Sequence, residues 1–283
     1  MGTLGETDTV RDDGEERARA AGEETAALVR LMDRLREDCP WDRKQTWESL
    51  QGYLLEECHE ALDALRRGDR SDVEGELGDL LFQVIFLARL GREEGAFDLA
   101  SVARRIHAKM VSRHPHVFGA SEVKDAEAVR VQWEKLKAKE RTDRGDAGAS
   151  PFEGVPGSLP ALLKAVRLTS RAADLGFDWQ HDADVLDKLD EEVGEFKAEV
   201  LAAAGSKERI SDEVGDILFT VVNVARRHGV DPESALQSTN ARFRSRFEDV
   251  AARVRAAGLE MTKLSLEELD RLWDEAKAAE RKS

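Results

Sequence analysis

Glu191, Glu192 and Glu195 stand close together in the run Lys188-Leu189-Asp190-Glu191-Glu192-Val193-Gly194-Glu195, and Glu213 and Asp216 follow further along the chain. On a helix, residues three or four apart share a face. Glu192 and Glu195 are such a pair, as are Glu191 and Glu195, Glu213 and Asp216, and Asp212 and Asp216. Two helices packed antiparallel would bring four or more of these carboxylates together. Such a cluster is costly unless cations neutralise it. Hard oxygen ligands at that density suit Mg²⁺, with Mn²⁺ as a substitute. Divalent cations held there would neutralise charge on phosphate oxygens and activate a water for attack at phosphorus. Glu191 and Glu192 are the candidates for taking the water's proton. Lys188, one turn ahead, is placed either to meet a phosphate or to pair with Glu191 or Glu192.

The bland reading is a set of solvated helix faces in a chain that is 36% charged. Three features weigh against it. Glu213 and Asp216 each precede a residue of the apolar stripe Val214, Ile217, Leu218, Val221, Val222, Ala225, so they sit near its edge. The same acid spacing occurs earlier, at Glu56, Glu57, Glu60, Glu76 and Asp79, which offers a possible second metal site. Gly78, Gly194 and Gly215 stand inside these helices at about 1 kcal/mol each relative to Ala. A close backbone approach or room for a ligand would explain them.

The recurrence is a duplication. Glu56, Glu57 and Glu60 match Glu191, Glu192 and Glu195 at an offset of 135. Glu76 and Asp79 match Glu213 and Asp216 at 137. Trp41 matches Trp179, Lys109 and Arg113 match Arg242 and Arg246, and Trp133 matches Trp273. The halves are joined by Arg141-Thr-Asp-Arg-Gly-Asp-Ala-Gly-Ala-Ser-Pro-Phe-Glu-Gly-Val-Pro-Gly-Ser158, which has linker chemistry.

Apolar periodicity of 3.6 and scarce β-branched runs predict an all-α fold of two tandem helical bundles. In the second half, helices are expected near 159–174, 183–204, 208–228, 232–257 and 266–281, with Asp231-Pro232 as cap and first residue of the fourth. The expected organisation is a disordered acidic tail over 1–22, a first domain over 23–140, a linker over 141–158 and a second domain over 159–283. Phe82 and Phe219 are expected in cores, and Cys58 as a small buried residue.

Asp plus Glu number 58 against 43 Lys plus Arg, a net charge of −15. That argues against a general nucleic-acid binder but not against a small phosphate compound whose metal ions reverse the local sign. No run of 18 apolar residues predicts a membrane span. The N-terminus has no secretory apolar core. The two cysteines, Cys39 and Cys58, suit a reduced, cytoplasmic setting. Arg242 and Arg246, one helical turn apart, could clamp a triphosphate or form a solvated basic face. Trp273 could stack on a base or fill a core.

The pattern Glu-Glu-x-x-Glu followed by Glu-x-x-Asp resembles the all-α nucleoside triphosphate pyrophosphohydrolases. Closer still is the similarity to the MazG family. It rests on Cys39-Pro40-Trp41-Asp42, Gly75-Glu76-Leu77-Gly78-Asp79-Leu80-Leu81-Phe82, Arg113-His114-Pro115-His116-Val117-Phe118, Ser158-Leu159-Pro160-Ala161-Leu162 and Gly176-Phe177-Asp178-Trp179, in that order. It covers roughly residues 25–281. The resemblance implies Mg²⁺-dependent hydrolysis of NTP or dNTP to the monophosphate and pyrophosphate, a role in clearing nucleotide pools. It implies Glu192, Glu195, Glu213 and Asp216 as metal ligands. It also implies nucleotide contacts at Lys188, Arg209, Asp212, Arg242, Arg246 and Trp273. It further implies a homodimer in which a second copy completes the bundle, and a second domain that carries the activity. The main rival is a non-catalytic helical regulator that binds nucleotides or a partner protein.

Overall fold

Helix boundaries follow side chains that satisfy the free amides of a first turn. Thr46 and Ser49 cap each other: the Ser49 amide donates to Thr46 Oγ1 at 3.3 Å, and the Thr46 amide to Ser49 Oγ at 2.9 Å. Asp98 and Ser101 repeat the arrangement. Ser206 accepts from the Glu208 amide. Asp231 accepts from the Glu233 amide, with Pro232 at the first helical position. In the computed structural model these signals delimit α1 (Gly5–Asp38), α2 (Trp47–Arg67), α3 (Arg70–Glu93), α4 (Leu99–Arg113) and the single turn α5 (Pro115–Phe118). Then come α6 (Ala161–Asp174), α7 (Asp182–Leu201), α8 (Lys207–Arg227), α9 (Pro232–Ala256) and α10 (Leu266–Glu280). The structure describes residues 5–119, 150–202 and 205–280, with a few positions between 125 and 136.

The fold is all-α, and among the described residues there is no strand. The helices of the second half lie within three residues of their expected bounds. The chain divides into two compact units, residues 1–145 and 146–283. Residues 141–149 of the expected linker lie outside the described residues. None of the helices of the described residues is long and apolar enough to cross a membrane.

One expectation fails. Residues 5–22, read as a disordered tail, belong to α1. The segment has no Pro, and its part 15–21, Glu-Glu-Arg-Ala-Arg-Ala-Ala, consists of good helix formers that continue into the rest of α1. Between residues 13 and 24 nearly every side chain is exposed, so this helix lacks the packing signal that the prediction looked for.

In the first unit α2 packs along α3, with α1 and α4 against α3. Met32, Leu50, Ile85, Phe86 and Leu90 form its buried core. In the second unit α7 packs along α8, α6 lies against α8, and α9 lies against α10. Val250, Val254 and Ala276 are buried between the last two, with Leu272 and Trp273 packed on them.

An ion pair closes the end of the first core. Arg36 Nη2 lies 2.7 Å from Glu93 Oε2, and Arg36 Nε donates to Glu93 Oε1 at 2.9 Å. The hydrogen bond from Arg36, against the cost of burial, holds the Glu93 carboxyl below the usual carboxylate range. A lowered pKa means stability that is present above the ordinary Glu value and lost as pH falls through the lowered one. Glu93→Gln is therefore expected to cost roughly 1–2 kcal/mol at neutral pH, because Glu93 is partly solvated. In denaturant melts of both proteins, that deficit should shrink below about pH 4. A deficit of constant size would show that the carboxylate charge is not what stabilises this contact.

Candidate active site

A five-residue loop between α7 and α8 makes these helices an antiparallel hairpin. Val185 on α7 and Val222 on α8 are fully buried and seat one helix on the other. The hairpin then brings Glu192, twelve residues before the middle of the loop, level with Glu213 and Asp216 on the other arm. Carboxylate oxygens of Glu192, Glu213 and Asp216 all lie within 4.8 Å of one another. Glu192 is buried, with only 5% of its surface exposed.

Lys188 neutralises part of this charge. Its ammonium lies 2.8 Å from Glu192 Oε1 and 3.0 Å from Glu191 Oε1. Those hydrogen bonds, to Glu192 first and then Glu191, push its pKa up, so it stays charged. Both alternatives drawn for Lys188 are compatible with this geometry, because an ammonium has three donors.

Glu213 is not neutralised. Its Oε2 is buried and has no hydrogen-bond partner. Desolvation, then repulsion from Glu195, Glu192 and Asp216, pushes its carboxyl above the ordinary range. Three converging carboxylates, one with a buried orphan oxygen, form the donor set a small hard cation needs. The residues present therefore fit Mg²⁺ or Mn²⁺.

Glu195 is exposed and outside the group of three, though near enough to act on Glu213. Glu191 is also outside it, exposed and paired with Lys188. Arg209 is exposed and pairs with Glu199 at 3.0 Å. Asp212 is exposed. Arg242 donates to Thr239 Oγ1 at 2.8 Å. Arg246 pairs with Glu280 at 2.6 Å and lies over the Trp273 ring at 5.9 Å. Phe243 packs on Trp273, with centroids 5.2 Å apart. Within one chain, these contacts tie Arg246 to Glu280 and Trp273 of α10, and Arg242 to its own helix, rather than to the acids.

The first unit gathers Glu57, Glu76 and Asp79 in the same way, within 4.8 Å. Glu56 and Glu60 lie outside that trio. Burial, then the charges of Asp79, Glu60, Glu76 and Glu56, push the Glu57 carboxyl up. At the offset of 135, however, the position of Lys188 is held by Tyr53.

Three lesser expectations are corrected. A Cβ built at Gly78, Gly194 or Gly215 would meet no atom within 4 Å, so no neighbouring helix in this chain requires these glycines. Room for a ligand or partner is the reading that is left. Cys58 is exposed, not buried. Phe219 is 43% exposed because it lines a cavity.

That cavity, of about 790 Å³, lies between α6, α7 and α8 and opens beside the acids, since Lys188, Glu192 and Asp216 form part of its wall. Phe152, Phe177, Trp179 and Phe219 supply aromatic walls, and Thr220 and Asn223 supply polar groups. The loop bearing Trp179 is fastened to the end of α8. Arg226 Nη2 lies 2.6 Å from Asp178 Oδ1, and Arg227 Nη1 donates to the Trp179 carbonyl at 2.7 Å. Burial opposes ionisation of Asp178, but the hydrogen bonds from Arg226 and the Trp179 amide outweigh it and hold the carboxyl low. Sequence reasoning missed this cavity. The available signal was Asn223, a lone amide among Val221, Val222 and Val224. The first unit's comparable cavity lies elsewhere, between α1, α3 and α4, with Val29, Met32 and Ala103 in its wall.

Comparison with known proteins agrees with the duplication. The MazG nucleotide pyrophosphohydrolase domain matches twice, at residues 45–118 and 180–251. A nucleoside triphosphate pyrophosphohydrolase of Escherichia coli K12 is 42% identical over 256 residues, covering 89% of this chain and 97% of its own. The nucleoside triphosphate pyrophosphohydrolase/pyrophosphatase MazG of Thermotoga maritima is 39% identical over 255 residues, covering 89% and 95%. A crystal structure of a mazG-related protein from Thermotoga maritima matches 40% of this chain and 98% of its own, at 26% identity and a TM-score of 0.36.

Proposed function

Since the chain belongs to the MazG nucleotide pyrophosphohydrolase family, we propose that it hydrolyses nucleoside triphosphates to monophosphates and pyrophosphate, using the acids of its second unit and Mg²⁺. It is a hydrolase of the nucleoside triphosphate pyrophosphohydrolase class. The observation that supports the Mg²⁺ reading is the buried, unpartnered oxygen of Glu213 within 4.8 Å of Glu192 and Asp216.

Glu192, Glu213 and Asp216 would hold the cation, with Glu195 on the outer side. Bound there, a divalent cation supplies charge neutralisation at the phosphates. The chain's own residues do the rest. Lys188 presents a fixed positive charge at the edge of the acids and orients a phosphate oxygen. Glu192, buried and hydrogen-bonded, is favoured over Glu191 as the carboxylate that takes the proton from the attacking water. Both are paired with Lys188, but Glu191 is exposed and lies outside the trio. Arg209, Asp212, Arg242, Arg246 and Trp273 are proposed nucleotide contacts. The contacts of the last three within one chain are with α9 and α10 rather than with the acids, so in the proposed homodimer they would be supplied by the second copy. Exposed apolar side chains on α8 and α9, among them Val214, Leu218 and Phe243, support that pairing. A cytoplasmic role in nucleotide-pool clearance follows from this reading.

The test is pyrophosphate release from a panel of NTPs and dNTPs with and without Mg²⁺. Turnover with Mg²⁺ and none after chelation is the expected result. Nucleotide binding without any pyrophosphate would instead favour a regulator.

A further inference from the structure

The cavity beside the acids is shaped to take more than phosphate. Its polar end is Lys188, Glu192 and Asp216, and its walls are Phe177, Trp179 and Phe219. A charged end joined to an aromatic slot matches a nucleotide, whose phosphates seek cations and whose base stacks on rings. Along α8, Thr220 lies one turn beyond Asp216 and Asn223 two turns beyond. Seven residues span about 10.5 Å at the helical rise. That is comparable to the reach from a nucleotide's α-phosphate to the far edge of its base.

Asn223 is oriented. Its Oδ1 accepts from Arg226 Nε at 3.2 Å and from Arg226 Nη2 at 2.9 Å. A guanidinium only donates, so the amide oxygen must be the atom facing Arg226. Arg226 is in turn held by Asp178 and is only 14% exposed. The group Asn223 has left for the cavity is therefore its NH₂, a donor. A donor at the far edge of a base meets an acceptor in 6-keto purines and 4-keto pyrimidines. In 6-amino purines and 4-amino pyrimidines it meets another donor. Two donors facing each other leave both unsatisfied, which a buried site penalises.

The first unit shows the contrast. At the offset of 137, Asn223 corresponds to Phe86, which is 1% exposed and part of the core cluster. Thr220 corresponds to Gln83. The place that is open in the second unit is filled in the first.

The geometry points to Asn223 as the base-reading residue of the second unit, donating to the carbonyl oxygen of a keto base held between the aromatic walls. This rests on the proposed triphosphate hydrolysis and deepens it. GTP, ITP and UTP are then better substrates than ATP and CTP.

The experiment compares kcat/KM for ATP, CTP, GTP, ITP and UTP with Mg²⁺ in the wild type, Asn223→Asp and Asn223→Ser. Asp offers only acceptors at neutral pH, so the keto-to-amino ratio should fall by roughly tenfold or more. Ser is too short to reach the base, and the ratio should move towards one. A merely structural role for Asn223 would lower all five substrates together and leave the ratio unchanged, overturning the assignment. So would a wild type that favours ATP and CTP, a result that needs no variant to fold. Failure of the wild type to turn over any triphosphate would instead remove the underlying hydrolase reading, and this proposal with it.

Discussion

Glu192→Gln is expected to lower pyrophosphate release by roughly 10²–10³-fold, the scale of losing one preorganised electrostatic group at a reacting centre. The substitution keeps the shape and removes one charge. Glu192 is the most buried acid of the second-unit trio and the partner of Lys188. Its loss weakens cation binding and leaves Lys188 with Glu191 as its one charged partner of the two. Glu57→Gln makes the same change in the first unit and is expected to leave the rate within a few-fold. There, Tyr53 replaces the lysine, and Phe86 fills the position of the base-reading amide. Pyrophosphate release by both variants at saturating Mg²⁺ decides the matter. Loss of turnover only with Glu57→Gln would move the active centre to the first unit.

The acids were legible because their spacing is local. Residues three and four apart share a helix face whatever the tertiary structure, and the duplicated pattern distinguished them from the other charged surface. The helices of the second unit were legible for a similar reason: Asp231-Pro232 and Gly229 mark ends that need no tertiary information. Gly229 has φ +66°, a left-handed conformation that favours glycine.

The cavity was not legible, because its walls come from separate stretches. Phe152, Trp179 and Phe219 are distant in sequence and meet only when α6, α7 and the loop before α7 pack on α8. Phe219 is a large apolar residue beside the apolar stripe of α8, and apolar character cannot tell a core from the wall of a cavity. Glu195 shares a helix face with Glu192 in sequence yet lies outside the trio, since one helix face is wider than one cation site. The exposed start of α1 escaped notice for the opposite reason: it has helix propensity without an apolar stripe.

Phe86→Ala is expected to destabilise the first unit by about 3–5 kcal/mol, the range for removing a buried phenyl ring. Phe86 is 1% exposed and packs with Met32, Leu50, Ile85 and Leu90. Its ring meets Phe82 edge to face at 6.3 Å, and the Arg36 guanidinium lies over it at 5.7 Å. Alanine would leave a void and loosen the arginine that holds Glu93. Since whole domains are stable by only about 5–15 kcal/mol, hydrogen exchange across α3 should accelerate by orders of magnitude. Asn223→Ala, at the matching place in α8, is expected to cost far less, roughly 1 kcal/mol. Asn223 is half-buried, faces a cavity and gives up only its bonds from Arg226. Equal losses at the two positions would mean that Asn223 is as much a packing residue as Phe86. Unequal losses, with exchange in α8 little changed, would mean that the duplication kept one helix position and divided its uses, a ring for the core in one unit and an amide for the cavity in the other.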